Sequence, residues 1–343
     1  DKFRAAATDG LAIRLGRTVE QPAEGARALA GYTLRETARE CLVRRNQPVP
    51  ENIMDMVGRA LTTTDLPNIL GNVANHTLQA SFESQPETYE TFCDTSGSLS
   101  DFKAADLVRR GEVSNLEEVR EEGEFKYGKT ADTKESVRLL TFGKIINISR
   151  QAIINDDTGS LTGIPQDMGE SARRLLGDLA FAVLTANANM GDGVALFHAN
   201  HGNLAASGAA VDVTSLSAAE KAMALQKDLL GKRRLNIKPQ FFIAPVSIKG
   251  VVEQFFKTDK IGGKANQPNL FNIYFGDYFT RVYDARLDDV SATAWYLAGA
   301  KGKTVKLFFL NGQQTPFMEQ RVGFEVDGLQ LKVRLDAAAK ALS

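Results

Sequence analysis

The stretch PQDMGESARRLLGDLAFAVLTANA, residues 165–188, predicts the strongest helix of the chain. Pro165 suits a first helical turn, where its missing N–H would have no intrahelical partner anyway. Apolar residues then recur at helical spacing, and together they form the face Met168, Ala172, Leu175, Leu176, Leu179, Val183 and Ala186. At the usual helical rise the segment would be about 36 Å long. A helix of this length could act as a spine on which other elements pack.

The charge balance and hydropathy of the chain exclude several broad classes of protein. The 343 residues include 41 basic and 42 acidic side chains, which give a formal net charge of −1. A dedicated nucleic-acid-binding protein usually has a strongly basic domain, so this balance argues against one. It is compatible with a container that encloses nucleic acid without gripping it. No run of about 18 apolar residues occurs, so no membrane span is expected.

The residues before the spine predict an arm followed by helices. Residues 1–25 show no clear periodicity and are predicted to form an extended arm. Thr33 and Glu36 have the spacing of a capping box, which predicts a helix beginning at residue 34. The predicted buried face of this helix is Leu34, Ala38, Cys41 and Leu42. A second helix follows Pro50, with Ile53, Met56, Val57 and Ala60 inward, and a third covers residues 62–82, with Leu70, Val73 and Leu78 inward.

A highly charged segment, LEEVREEGEFKYGKTADTKESVRLL (residues 116–140, the charged hairpin), alternates as two β-strands would. Phe125 and Tyr127 alternate with charges, Val137 and Leu139 do the same, and residues 128–134 would form the tip. The arm would be about 30 Å long, and a lone two-stranded hairpin is only marginally stable in water. Because it offers little apolar surface for a core of its own, we expect it to pack on a neighbouring subunit. The contact residues would be Glu121, Glu122, Glu124, Lys126, Lys129 and Lys134.

The chain after the spine is predicted to be a mixed α/β region. Ser217 and Glu220 have capping-box spacing and predict a helix that Gly231 would end. Strands are predicted in QFFIAPV (240–246), FTRVYDA (279–285), TAWYLAG (293–299) and TVKLFFL (304–310), with a short helix in SIKGVVEQFF (247–256). Asp327-Gly328 could turn a closing hairpin within residues 324–339.

Few residues suggest catalysis or cofactor binding. Gly302-Lys303-Thr304 matches the end of a phosphate-binding loop, but Leu297 occupies the position of the required glycine and a strand should follow. His198 and His201, near Asp192, could share a metal ion on a helix, yet the surrounding glycines and asparagines favour a hydrogen-bonded loop.

The two cysteines, Cys41 and Cys93, form no disulfide framework and are predicted to be small buried hydrophobic residues. Cys93 has no basic or imidazole neighbour in sequence that would lower its pKa. We therefore expect no enzyme activity, no cofactor and no metal.

The order of these parts resembles the major capsid protein of tailed phages. That protein has the Hong Kong 97-like fold, an α+β architecture with an N-terminal arm, an extended hairpin called the E-loop, a peripheral domain with a long spine helix, and an axial domain. Five stretches carry the resemblance, which runs from about residue 26 to the end: LRETARECL, TTTDLPNILGNVAN, GSLSDFKAADLVRRGEVSNLEEVREEGEFKYGK, RLLTFGKIINISRQAIINDD and ALFHANHGNL. They are similar to the Mu-like branch, in which a Clp-like prohead protease is sometimes encoded upstream in the same chain.

The resemblance implies a division of the chain into segments. Residues 1–60 would be the N-terminal arm, 61–99 the start of the peripheral domain, 100–150 the E-loop hairpin and its flanking strands, 151–194 the peripheral domain with the spine helix, 195–315 the axial domain, and 316–343 the return strands of the peripheral domain. A first residue Asp1 would fit removal of an upstream segment during maturation. Some relatives lock the shell with a Lys–Asn isopeptide bond, but nothing identifies an acidic catalyst or partner asparagine for Lys126, Lys129 or Lys134, so no crosslink is predicted.

The implied function is self-assembly into the hexamers and pentamers of an icosahedral head that encloses double-stranded DNA. The expected partners are copies of the chain itself, the enclosed DNA, a prohead protease or scaffold, and a portal; no membrane is expected. Assembly would take place in the bacterial host cytoplasm, and the final location would be the virion. Two alternatives stay open: an encapsulin-like shell that stores a cargo enzyme, and a soluble metal-dependent α/β enzyme that uses Asp192, His198 and His201.

Overall fold

The computed structural model describes residues 2–110, 132–228, 231, 233–261, 270–323 and 328–342. The chain divides into two compact units. Unit 1 comprises Asp1–Pro86, Thr141–Leu175 and Gln313–Asp336, and unit 2 comprises Glu87–Leu140, Leu176–Gly312 and Ala337–Ser343. Within the described residues, none of the helices is long and apolar enough to cross a lipid bilayer.

The described elements mix helices and strands along the whole chain. The helices are α1 (Lys2–Arg14), α2 (Ala26–Leu29), α3 (Leu34–Arg44), α4 (Ile53–Thr62), α5 (Asp65–Ser84), α6 (Arg150–Ile154), α7 (Gly159–Thr185), α8 (Val213–Ala224) and α9 (Lys249–Lys257). The strands are β1 (Asp94–Leu99), β2 (Ala105–Arg110), β3 (Asp132–Val137), β4 (Leu140–Ser149), β5 (Phe241–Ala244), β6 (Lys260–Ile261), β7 (Leu270–Phe271), β8 (Thr280–Tyr283), β9 (Tyr296–Ala298), β10 (Val305–Leu310), β11 (Phe317–Gly323) and β12 (Gly328–Ala341). The predicted α+β class is confirmed.

The expectation of an extended arm over residues 1–25 is wrong, because α1 covers Lys2–Arg14. The alanines near its start have the highest intrinsic helix propensity, and burial of Ala7 and Leu11 in the core of unit 1 rewards the helical conformation. Gly10 lets α1 approach α2 closely, since a Cβ at that position would lie 2.7 Å from the carbonyl oxygen of Ala26. Small side chains that look featureless in the sequence therefore make a packed helix.

Three predicted helices of unit 1 are confirmed. Thr33 caps α3 as expected: its N–H donates to Glu36 Oε2 at 2.7 Å, and the Glu36 N–H donates to Thr33 Oγ1 at 3.2 Å. The predicted inward residues are buried except Ile53, which is exposed in the first turn of α4. The helices share one core with parts of β4, α6, α7 and β12, whose contributions are Ile148, Ile153, Leu161, Leu329 and Leu331.

A carboxylate anchors α1 and the start of α3. Asp156 accepts the Leu34 N–H at 2.7 Å and Arg14 Nη1 at 2.9 Å. The hydrogen bond from Arg14 holds the pKa of Asp156 below its ordinary value. This ion pair ties the first helix of the chain to the core it covers.

The spine helix is present, but α7 begins six residues before Pro165 and ends at Thr185. Pro165 therefore lies inside the helix, where it removes one backbone hydrogen bond; burial of Leu161 in the added first turns offsets that loss. The predicted face is correct only in part. Leu176 is buried, whereas Met168, Ala172, Leu175, Leu179 and Val183 are half-buried and Ala186 is exposed beyond the helix end. The other buried hydrophobic residues in the second half of α7 are Ala180, Phe181 and Leu184.

Strand β12 contributes residues to both units. In unit 2 its end pairs antiparallel with β10, from Val305↔Ala341 to Phe309↔Ala337, and β10 pairs in parallel with β1. In unit 1 its first part pairs with β11, from Phe317↔Arg334 to Gly323↔Gly328, which forms the predicted closing hairpin. The first strand of that hairpin lies earlier than expected, and Asp327 falls outside the described residues.

The rest of unit 2 has a small sheet in which β5 pairs with β8 and β9. The strands and α9 confirm the predictions for residues 240–310, and β10 follows Gly302-Lys303-Thr304, so the phosphate-loop match precedes a strand.

The predicted cap of α8 is wrong. Asp212 caps this helix by accepting the Ser215 N–H at 2.7 Å, and the helix ends at Ala224. The Asp212-x-x-Ser215 spacing serves the same purpose as a capping box but contains no glutamate.

Both cysteines are free and buried, as predicted. Burial raises the pKa of Cys41 and of Cys93 to about 12. The thiolate is the reactive form of cysteine, so neither side chain acts as a nucleophile at neutral pH.

A network of ionised side chains lies in unit 2 around Arg286. Its Nη1 and Nη2 donate to Glu87 Oε2 and Oε1 at 3.0 and 3.1 Å, and its Nε donates to Asp178 Oδ1 at 2.6 Å. Asp284 lies 3.2 Å from Nη1. Burial alone would lower the pKa of Arg286, but the hydrogen bonds to Glu87 and Asp178 raise it above its ordinary value. Gly177 leaves room for the network, because a Cβ there would be 2.7 Å from Glu87 Oε2.

Replacing Arg286 with Ala should lower the free energy of unfolding by about 3 kcal/mol, because two carboxylates would stay buried without their counter-charge. Those carboxylates belong to Glu87 and Asp284, which are almost fully buried. Urea denaturation followed by circular dichroism measures the loss. Lys257→Ala removes an exposed pair with Glu253 and should cost at most about 0.5 kcal/mol. Equal losses in the two variants would contradict a structural role for the network.

Candidate assembly site at the foot of the charged hairpin

The structure describes one of the six predicted contact residues. Glu121, Glu122, Glu124, Lys126 and Lys129 lie outside the described residues, as do Phe125 and Tyr127. Lys134 lies on β3. The predicted contact of these six residues with a neighbouring copy therefore stays a prediction, and the geometry available is that of the hairpin foot, which we define as β2, β3 and the residues that hold them.

The hairpin foot is an antiparallel pair of strands. β2 pairs with β3 from Ala105↔Val137 to Arg110↔Asp132. The prediction of a tip over residues 128–134 is wrong at its end, since residues 132–134 already belong to β3. Their partner strand, ADLVRR, precedes the charged hairpin in sequence, so alternation inside residues 116–140 could not reveal it. Strand β3 stops at Val137, and β4 begins only at Leu140.

Contrary to expectation, the hairpin foot has a core within its own chain. Val137 and Leu139 are buried in a cluster with Phe308 and Ala338. Partly buried residues complete this cluster, and they are Leu99, Ala105, Leu107 and Leu310. Burial of apolar side chains of this size contributes about 1.5–3 kcal/mol each. The hairpin is thus fastened at its base before it meets any partner.

Glu135 is a buried charge on the inward side of β3, between Lys134 and Ser136. The Gly191 N–H donates to both carboxylate oxygens, at 2.9 and 3.0 Å, and Lys340 Nζ lies 3.3 Å from Oε2. Gly191 also approaches the strand closely, since a Cβ there would lie 2.1 Å from the carbonyl oxygen of Lys134. We call Glu135, Gly191 and Lys340 the Glu135 clamp. It joins β3, the loop after α7 and the end of β12.

Lys134 points to the outer side of the same strand. Its Nζ donates to Asp106 Oδ2 at 3.0 Å across the β2–β3 pair, and both side chains are exposed. An exposed pair of this kind contributes about 0–1 kcal/mol. Lys134 is therefore paired within its own chain, but replacing Asp106 by another partner would cost little free energy. A charge on a neighbouring copy could compete for it.

The loop with the two histidines is hydrogen-bonded, as the sequence suggested. His201 Nε2 lies 2.8 Å from Asp192 Oδ2, and its Nδ1 lies 3.0 Å from the carbonyl oxygen of Leu196. Both partners are acceptors, which favours the doubly protonated ring; the hydrogen bond to Asp192 raises the pKa of His201 and lowers that of Asp192. His198 Nδ1 accepts the Asn200 N–H at 3.1 Å. Among the residues that the structure describes, no cluster of side chains suits a metal ion.

Comparison with known families identifies the chain. The model of the phage capsid protein family matches residues 132–342, more than half of the sequence. The chain belongs to this family. The matched residues include Glu135, Gly191 and Lys340, so the whole Glu135 clamp lies inside the family region.

The protein is a major capsid protein, that is, a structural subunit that self-assembles into a virus shell and is located in the virion. The predicted Hong Kong 97-like class agrees with this family. The described residues contain, in this order, the foot of the charged hairpin, a long helix, a mixed α/β region and return strands.

Solved structures with a similar fold come from several viruses and one archaeon. A chain of Mycobacterium phage Cain is 16% identical, with 75% of this chain and 84% of that chain covered and a TM-score of 0.44. For the capsid of cyanophage Pam1 the identity is 11%, the coverage 75% and 88%, and the TM-score 0.48. For a virus-like particle from Pyrococcus furiosus these values are 11%, 78% and 92%, and 0.40. No curated protein sequence matches the chain significantly.

Replacing Glu135 with Ala should loosen the hairpin foot. The change leaves the Gly191 N–H and the half-buried Lys340 ammonium without their carboxylate partner, which should cost about 1–2 kcal/mol. Hydrogen–deuterium exchange should become faster at the amide of Gly191 and along β3. Glu135→Gln keeps an acceptor and should retain most of the protection. Lys134→Ala, one residue away on the exposed side, should leave the amide of Gly191 unchanged; faster exchange there would contradict the assignment.

Proposed function

We propose that this capsid protein forms the hexamers and pentamers of an icosahedral phage head that encloses double-stranded DNA. The observation that carries the proposal is the phage capsid family match over residues 132–342, which include β3 and the Glu135 clamp that holds it. The nearly neutral chain supports enclosure of DNA without tight neutralisation of its phosphates. The interior would hold DNA without sequence preference.

The finer assignments follow the same proposal. The chain would belong to the Mu-like branch, with residues 195–315 as the axial domain around capsomer centres and residues 100–150 as the E-loop. A prohead protease or scaffold and a portal would act with it during assembly in the cytoplasm of the bacterial host. Glu121, Glu122, Glu124, Lys126, Lys129 and Lys134 would contact the adjacent copy in the capsomer.

The Glu135 clamp gives these contacts a physical basis. A long hairpin can bind a neighbour reproducibly only if its direction of departure from the subunit is constant, because ordering it at the moment of contact would cost conformational entropy. The buried carboxylate and the apolar cluster around Val137 supply that constancy. The same surface on every copy then meets a different surface on the next, which is the heterologous contact that builds rings.

Negative-stain electron microscopy of the purified protein, with light scattering on the same sample, tests the proposal. We expect closed isometric shells or capsomer rings, and nuclease-resistant DNA inside shells recovered from infected or co-expressing cells. Shells that contain a protein cargo and no nucleic acid would instead favour the encapsulin-like alternative. A single monomeric species at every concentration, with scaffold and portal present, would contradict self-assembly.

Reversing the charge of three hairpin lysines tests the contact residues. The triple variant Lys126→Glu, Lys129→Glu, Lys134→Glu should keep the melting temperature of the monomer, since the one lysine the structure describes makes only an exposed pair. Assembly should weaken, because like charges would meet at each contact. Sedimentation velocity measures the fractions of monomer and assembled protein, and thermal denaturation followed by circular dichroism measures the melting temperature of the monomer. The same change in charge at Lys221, Lys238 and Lys303, which are exposed elsewhere in unit 2, should leave assembly intact. A collapse of the monomer itself would contradict the proposed contacts, because it would mean that the hairpin beyond its foot also packs within its own subunit.

A further inference from the structure

A short segment of unit 2 exposes large apolar side chains in a regular pattern. Between residues 271 and 275, exposed and buried residues alternate: Phe271, Ile273 and Phe275 are exposed, while Asn272 and Tyr274 are buried. The exposed fractions are 69% for Phe271, 59% for Ile273 and 48% for Phe275. Tyr278, three residues further, is 52% exposed. We call Phe271, Ile273, Phe275 and Tyr278 the aromatic surface.

The buried residues of the segment hold it firmly against α9. The side-chain amide of Asn272 donates to the carbonyl oxygens of Phe255 and Thr258 at 2.8 and 3.0 Å. Its Oδ1 accepts the Tyr274 N–H at 3.0 Å, and the Gly276 N–H donates to the Phe256 carbonyl oxygen at 2.8 Å. Asn272 has no exposed surface. The backbone that carries the aromatic surface is therefore ordered in the free subunit.

Tyr274 provides the second anchor. Its ring is buried and stacks on Phe279, with centroids 5.8 Å apart. Its hydroxyl donates to Glu220 Oε2 at 2.8 Å and lies 3.1 Å from Ser217 Oγ on α8. Two helices thus hold the inward side of the segment. Of the outward side chains, Tyr278 packs edge-on against Tyr274 and Phe279. Large parts of Phe271, Ile273 and Phe275 lie in solvent, where the hydrophobic effect disfavours them.

The size of the aromatic surface fits a contact between proteins. From the exposed fractions and the ordinary area of such side chains, it presents about 400 Å² of apolar surface. That is within the range of functional patches on monomers and is about half of what one partner contributes to a stable interface. Because the segment is already ordered, binding would not have to order it.

We propose that the aromatic surface is a contact between copies of this chain within a capsomer. This inference rests on the proposed assembly into hexamers and pentamers, and it names a surface outside the charged hairpin. A second copy is the indicated occupant because the chain is a shell-forming subunit, so identical copies surround it at the highest local concentration. Exposed charges of both signs flank the surface in sequence. Asp277 lies within the segment and pairs with Arg281. Lys257 follows Phe256, whose carbonyl oxygen accepts the Gly276 N–H, and pairs with Glu253. Both signs suit pairing with an identical copy.

The triple variant Phe271→Ser, Ile273→Ser, Phe275→Ser separates assembly from folding. Its monomer should melt at the wild-type temperature, because the three side chains are mostly exposed in the free subunit. The protein concentration at which shells or rings appear should rise about tenfold or more, since the loss of each apolar contact weakens association. Light scattering over a concentration series measures this threshold. The control is a double variant of two apolar side chains with similar exposure, Leu204→Ser and Val290→Ser, which should leave the threshold unchanged.

A crosslinking measurement identifies the occupant directly. A photoreactive benzoylphenylalanine in place of Phe275 should link to a peptide of another copy, which mixing of 15N-labelled and unlabelled subunits distinguishes from a link within one copy. Links confined to one copy, links to a different protein, or an unchanged assembly threshold in a folded triple variant would overturn the inference. Wild-type protein that forms no shells would instead overturn the proposed function. If the triple variant fails to fold, the crosslink alone decides.

Discussion

One buried carboxylate holds the described foot of the charged hairpin on its own subunit. Glu135 lies on the side of β3 that also carries the buried Val137, and its charge is compensated by the Gly191 N–H and by Lys340. A buried carboxylate without such partners would destabilise the fold by several kcal/mol. The three groups must therefore stay together, and with them three segments that are far apart in sequence. The position of β3 within unit 2 is set by this arrangement.

Unit 2 shows the same principle a second time around Arg286. There, too, carboxylates from distant segments converge on one cation, and a glycine of α7 makes room for them. Buried charges of this kind add little net stability compared with apolar residues, but they penalise any arrangement that separates the partners. A subunit that must present the same surfaces in every copy needs a single well-defined conformation. For such a subunit, specificity of the fold matters more than a few kcal/mol of additional stability.

Local signals in the sequence predicted local structure well. The Thr33–Glu36 box and the apolar stripes of α3 and α5 needed only neighbours a few residues away, and the structure has them. The cap of α8 was a local error, because Asp212 and not Ser217 caps the helix. The other errors arose where a distant partner decides. Residues 2–14 form a helix because other helices cover their alanines, and α7 gains its first turns because Leu161 reaches the core of unit 1. The strand opposite β3 lies before the charged hairpin, where periodicity within that segment gives no information.

The sequence singled out the charged hairpin as the candidate assembly site but not the groups that hold its foot. Alternation along β3 puts Glu135 in line with Val137, and a charge in an apolar row is the one sequence signal that could have revealed the clamp. Its partners, Gly191 and Lys340, come together only through the fold. The outward alternation of Phe271, Ile273 and Phe275 is visible in sequence as an apolar run. Asn272 and Tyr274 in its interior become meaningful only once α8 and α9 are seen to hold them.

The two deeply buried thiols have a consequence for the chemistry of the assembled particle. With a pKa of about 12, Cys41 and Cys93 carry almost no thiolate under ordinary conditions. The two thiols of the folded subunit are thus shielded from oxidation, and copies crowded together do not join through accidental disulfides. The same property makes the folded protein a clean background for labelling. A single cysteine introduced on the surface would be the one thiol that reacts with a maleimide dye.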